Sequence, residues 1–94
     1  MPDGVAVVRC GWIPALAGRL AGMRRAAAAT TIGDTIFVHP GVRITDRLIR
    51  HELAHVRQWR AAPSTFPIRY VWNHIRFGYR DNPYEIEARQ AEHE

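Results

Sequence analysis

The sequence predicts one α+β domain. Three observations point there. The 94 residues hold a single core and leave no room for a second domain. Short β-branched runs alternate with a helical segment in the first forty residues, and from Thr45 onward apolar residues recur at helical spacing between recognisable caps and stops. With 47% hydrophobic, 10% aromatic and 23% charged residues, the composition is that of a folded chain and excludes a disordered one. A domain this small buries only about 60–65% of its unfolded surface, so a bound metal or self-association would add useful stability.

In chain order, Val5 to Arg9 is β-branched and long enough for one strand. Trp12-Ile13-Pro14 opens a helix, since a proline fits the first turn; Leu16, Leu20 and Met23 continue it to an end near Arg25. Ala29 to Ile32 and Thr35 to His39 flank Gly33-Asp34, a two-residue hairpin loop with glycine at its first central position. Pro40-Gly41 stops the second strand. Thr45 caps the next helix, with Ile44 and Ile49 placed as a hydrophobic staple, and Asp46 to about Ala61 forms its body before Pro63. A third helix spans Phe66 to Phe77 with Gly78 as its stop. Its Ile68, Val71, Trp72 and Ile75 share one face and Arg69, Asn73, Arg76 and Arg80 lie opposite, which predicts packing of the apolar face on the core in preference to a membrane surface. A last helix starts at Asn82-Pro83 and continues to the C-terminus.

All thirteen basic residues are arginine, against nine acidic ones, for a formal charge of +4. They are scattered along the chain, with Arg24-Arg25 the sole adjacent pair, so a nucleic-acid footprint is disfavoured. Cys10 is the single cysteine, which excludes an intramolecular disulfide and a four-cysteine zinc site and reads as an inert buried thiol. No basic region precedes an apolar stretch at the N-terminus, and no uncharged apolar run approaches the ~18 residues of a membrane helix. The expectation is a soluble cytoplasmic protein.

The chemistry concentrates in His51-Glu52-Leu53-Ala54-His55, in the middle of the second helix. Residues four apart share a helix face with β-carbons ~5–6 Å apart, so both imidazoles can hold one zinc. Glu52, about 100° round the axis from His51, falls beside the metal's open position, where a general base belongs. A chance match to this pattern in such a composition is on the order of 0.01, and Leu53, Val56 and Trp59 mark the helix as central. A catalytic zinc needs a third protein ligand. Glu85, Glu87, His74, Glu92 and His93 are the downstream candidates, and the segment from Val56 to Ala62 lacks the glycine and third histidine of metzincins.

His51-Glu52-Leu53-Ala54-His55, followed thirty residues later by Glu85-x-Glu87-Ala88, resembles the gluzincins, zinc peptidases with a glutamate ligand on a second helix, and above all the single-domain minigluzincins. The tail is also similar to the glutamate helix of CAAX-prenyl-protease-like and thermolysin-like enzymes. The resemblance covers roughly Thr30 to Ala91 and implies a small sheet whose last strand runs beside a cleft, an active-site helix and a glutamate helix. It implies zinc held by His51, His55 and Glu85, with Glu87 and then His74 as alternative ligands, and a peptide or protein substrate. The strand Thr35 to His39 would take that peptide by β-addition. One departure stands out: where those families place an aspartate four residues after the ligand, to orient the first motif histidine, this chain has Arg89, so another carboxylate such as Glu87 has to serve or the site is weaker. Glu85 also fits a second role, since Asn82 followed three residues later by Glu is a capping box.

Gln58, one turn past His55, is expected to support the site, and Tyr79 and Tyr84 could offer a phenol to a developing oxyanion. The expected function is that of a zinc endopeptidase. The rivals are a zinc-stabilised interaction module without catalysis and a SprT-like, DNA-associated metalloprotease using His74. A latent state, with the Glu92-His93-Glu94 tail on the chain's own or a neighbour's zinc, is a further expectation.

Overall fold

The computed structural model describes residues 4–20 and 28–94. Its elements are β1 (Ala6–Arg9), α1 (Trp12–Leu20), β2 (Ala29–Ile32), β3 (Thr35–Val38), α2 (Asp46–Ala61), α3 (Phe66–Asp81) and α4 (Pro83–Ala91). This is the α+β architecture expected. The stretch of the first helix through Met23 to Arg25 lies outside the described residues.

The sheet order is β1-β3-β2, with β1 parallel to β3 and β2 antiparallel to it. The hairpin forms as predicted: Gly33 takes φ 61°, the left-handed conformation that its turn position requires, and Ile32 pairs with Thr35. The expectation that Thr35 to His39 is an edge open to a peptide is overturned. β1 occupies that side, with Ala6 paired to Thr35 and Arg9 to Val38, and the Arg9 guanidinium donates to the carbonyls of Pro40 (3.0 Å) and Val42 (2.7 Å) beyond the strand. A parallel pairing across so long a crossover leaves no local signal. β3 is instead the core strand: Ile36 and Val38 are fully buried against Val56 of α2.

The α2 limits agree with the sequence reading, and Thr45 Oγ1 accepts from the Leu48 amide at 3.1 Å, the expected cap. A second cluster joins α2 to α4 through Ala54, Ala88 and Ala91, all buried. Contacts between small side chains let two helices approach closely, and this sets how near α4 can bring its carboxylates to α2.

The third helix turns its other face inward. Ile68, Val71, Trp72 and Ile75, expected on the core, are 55–72% exposed, whereas Phe66 is buried and Tyr70 half-buried. An aromatic cluster decides the register: Phe66 packs edge-to-face on Tyr84 and Trp59, with centroids 4.9 and 5.3 Å away, and lies 5.8 Å from Tyr70. Periodicity alone favours the aliphatic stripe. The aromatic stripe wins because each ring buries a large area and Tyr70 has a partner for its hydroxyl. Gly78, at φ 80° and ψ 172°, breaks the helix one residue past its predicted end, and a further turn follows to Asp81. α4 ends at Ala91, short of the C-terminus, with Glu92 as its cap residue.

Candidate metal centre

α2 projects His51 and His55 from one face, with ring centroids 5.1 Å apart. Across from them α4 carries Glu85 in its first turn. The Asn82 side chain caps that helix by accepting from the Tyr84 amide (3.0 Å) and donates to the Tyr70 carbonyl (3.2 Å). Freed from capping, the Glu85 carboxylate points at the histidines: its Oε1 lies 3.0 Å from His51 Nε2 and 3.1 Å from His55 Nε2. Its Oε2 accepts from the Tyr70 hydroxyl.

The outer ring nitrogens are committed elsewhere, and this fixes what the inner ones present. Gln58 Nε2 donates to the Tyr84 carbonyl (3.0 Å) and to Glu87 Oε1 (3.1 Å), so Gln58 Oε1 must face His55, where Nδ1 donates to it at 2.7 Å. His51 Nδ1 donates to Glu92 Oε2 at 2.8 Å. Both neutral rings therefore offer an Nε2 lone pair to one carboxylate oxygen. Three such atoms cohere only around positive charge, either protons on the imidazoles or a metal cation, and two imidazoles with a carboxylate are a fitting donor set for a divalent metal.

Glu52 stands beside this group. It is almost fully buried, its Oε2 is 3.9 Å from His51 Nε2, and its Oε1 accepts from Thr31 Oγ1 of β2 at 3.0 Å. The ligating atoms of His51, Glu52 and His55 all lie within 4.8 Å of one another, so these three can hold a metal ion. Glu85 is nearer to both rings than Glu52 is to His51.

Charge follows this geometry. Burial alone would lower His51, but its bond to Glu85 and the charge of Glu52 outweigh burial and raise it to about 9. His55 is raised for the same reason. Burial pushes Glu85 up, yet the two imidazoles and Tyr70 hold it well below the usual carboxylate range. Burial raises Glu52, with both histidines opposing. Glu92 is lowered because Arg47 and His51 outweigh its slight burial.

The structure thus places Gln58 in the supporting position expected of it. It corrects the stand-in for the missing aspartate: Glu92, not Glu87, takes the outer nitrogen of His51, while Arg89 donates to the Arg80 carbonyl. Glu92 is seven residues past Glu85, two turns on and on the same face, a spacing that could have exposed it. It meets His51 at the outer ring nitrogen, on the ring edge away from Glu85, and Glu94 lies 3.9 Å from Arg57. Tyr70 was also missed, because its apolar neighbours on α3 drew attention to the wrong face. Tyr84 contributes its carbonyl to Gln58 and its ring to the aromatic cluster. Tyr79, turned by the Gly78 break, lies close enough to the site that burial and then the charges of Glu85 and Glu52 raise its phenol pKa. His74 is outside the group, and its Nδ1 is buried without a hydrogen-bond partner. Cys10 is a free, half-buried thiol.

Fold and site together define a small α+β domain built around a His-Glu-x-x-His helix whose side chains are positioned to hold a metal ion. The family model of the eCIS core domain matches residues 15–63, just over half of the chain, and the protein belongs to that family. The match takes in His51, Glu52 and His55 and ends before α3, so Glu85 and Glu92 lie beyond it. No curated protein and no solved structure matches the chain.

Proposed function

We propose that the domain is a zinc-dependent endopeptidase of gluzincin type, with His51, His55 and Glu85 holding zinc and Glu52 as general base. The observation that carries this reading is the division of labour between two buried carboxylates. Glu85 meets both imidazole Nε2 atoms, while Glu52 sits to one side, tied to Thr31 and raised in pKa by burial. A structural site would use such a carboxylate as a ligand or replace it with an apolar residue.

Zinc, when bound, supplies Lewis acidity that lowers the pKa of a water toward ~7. Glu52 takes a proton from the attacking water and delivers it to the leaving amine. The Thr31 hydroxyl holds the Glu52 carboxylate in place, and Gln58 and Glu92 keep the imidazoles in the tautomer that ligation needs. In this reading Tyr79, whose phenol lies near Glu85 and Glu52, donates to a developing oxyanion. Among the described residues β2 pairs with β3 alone, and the Trp59 indole donates to its Thr31 carbonyl at 3.2 Å; as the sheet's edge, β2 replaces β3 in this reading as the strand along which an extended peptide would lie beside Glu52.

The test is a metal analysis paired with a cleavage assay. The chain should carry one zinc, His55→Ala should lose it, and Glu52→Gln should keep it while hydrolysis of a quenched peptide library falls about 10²–10⁴-fold. Zinc retained in His55→Ala, or cleavage by Glu52→Gln at the parent rate, would end this reading.

A further inference from the structure

From the outward face of α3 we infer that the domain docks on anionic lipid bilayers. Ile68, Val71, Trp72 and Ile75 follow i, i+3, i+4, i+7 spacing and stand 55–72% exposed, with Pro67 extending the same apolar surface. Scattered exposed apolar residues are ordinary; four on one helix face, with a tryptophan in the middle, are a contiguous patch of the kind that marks an interaction surface. The opposite face of the helix is already engaged by Phe66 and Tyr70, so a modest rotation cannot bury the ridge within the domain.

Charge selects the occupant. From Phe66 to Arg80 the helix has no acidic residue, and Arg69 and Arg76, expected opposite the apolar residues, lie instead on one flank, roughly 90–110° round the axis from the ridge centre. At that angle a long guanidinium side chain reaches lipid phosphates while the aliphatic and indole groups enter the acyl boundary. A second copy is the poorer occupant, because it would bring Arg69 and Arg76 against their equivalents with no acid on this face to pair with them. The protein would lie on the bilayer and not span it: among the described residues no helix is long and apolar enough to cross.

Vesicle flotation with the 94-residue chain tests this, using phosphatidylcholine alone and phosphatidylcholine containing phosphatidylglycerol, with tryptophan emission followed in a Trp12→Phe background, which leaves the exposed Trp72 and the half-buried Trp59. The chain should float with the anionic vesicles and shift its emission to the blue, and high salt should release it. Ile68→Ser with Ile75→Ser should weaken binding at least about tenfold, and Arg69→Gln with Arg76→Gln about tenfold or more, the latter on anionic vesicles only. Both pairs are exposed, so the thermal midpoint and zinc content should stay at parental values, which separates this outcome from the fate of the peptidase reading. Failure to bind anionic vesicles at low salt, or undiminished binding by the serine pair, would overturn the inference. A dimer in solution that the serine pair converts to monomer would overturn it in favour of self-association.

Discussion

Replacing Glu92 by glutamine tests whether the outer-nitrogen contact controls the metal centre. Glu92 Oε2 accepts from His51 Nδ1 at 2.8 Å, and its other oxygen accepts from Arg47. Glutamine preserves the size and one acceptor but removes the charge that makes the imidazole a stronger ligand. Contacts of this kind are worth about 10–100-fold in metal affinity, or about 1.4–2.7 kcal/mol. Glu92→Gln should fall near the lower figure and Glu92→Ala, which also frees the ring to rotate, near the upper. The helix end survives either change, because Arg50 Nε donates to the Glu92 backbone carbonyl at 3.0 Å. Arg47 is 69% exposed, so Arg47→Gln should cost well under tenfold, its ion pair being screened. Competition for zinc against a chromophoric chelator at fixed pH measures all three. An affinity for Glu92→Gln within twofold of the parent would refute the argument and return attention to Arg89 as an uncompensated loss.

Glu85→Gln should weaken zinc binding at least about a hundredfold and Glu87→Gln less than about tenfold, since Glu87 accepts from Gln58 and meets neither imidazole directly among the described hydrogen bonds; the reverse order in the same titration would move the ligand to Glu87. With chelator present, the raised His51 pKa contributes stability in full below 6.5 that disappears as pH rises through about 9, while the lowered Glu85 contributes above 4.5. Thermal midpoints of chelated protein should therefore fall from neutral toward alkaline pH, whereas zinc affinity should rise over that range as imidazolium protons are displaced; an affinity independent of pH would count against ligation by both histidines. Ala88→Leu should lower stability by about 1–3 kcal/mol and weaken zinc as well, because extra volume at the α2–α4 contact lifts Glu85 from the histidines; lost stability with unchanged affinity would show that this contact does not set the site.

What was legible in the sequence was local. Thr45 and Pro63 bound α2, Gly33 makes the hairpin, and Glu85, thirty residues past His55, meets the motif as the glutamate-helix resemblance implied. What escaped depends on partners distant in sequence. The parallel pairing that buries β3 joins Ala6 to Thr35, and Glu92 reaches back to His51 across the whole α3 segment. The inward face of α3 was misread for a different reason. Periodicity scores the four aliphatic and indole positions above Phe66 and Tyr70, but it cannot know that Tyr70 will find Glu85, and a tyrosine whose hydroxyl is satisfied buries as well as a leucine.

The economy of the interior also bears on the functional reading. Among the described residues the aliphatic core cluster is Ile36, Val38 and Val56 with half-buried neighbours, and alanines make the buried α2–α4 contact. Against that small apolar interior, Glu52, His55, Gln58, Asn82 and Glu85 are all buried, and every one is bonded within or immediately behind the same cluster. Replacing such a network by apolar residues of similar volume is often neutral or stabilising by about 1–4 kcal/mol. A domain this short has little stability to forgo, so retaining the network makes sense where the cluster has work of its own. Zinc would supply both parts: binding free energy added only to the folded state, and a reason for Glu52 to remain a carboxylate beside the ligands.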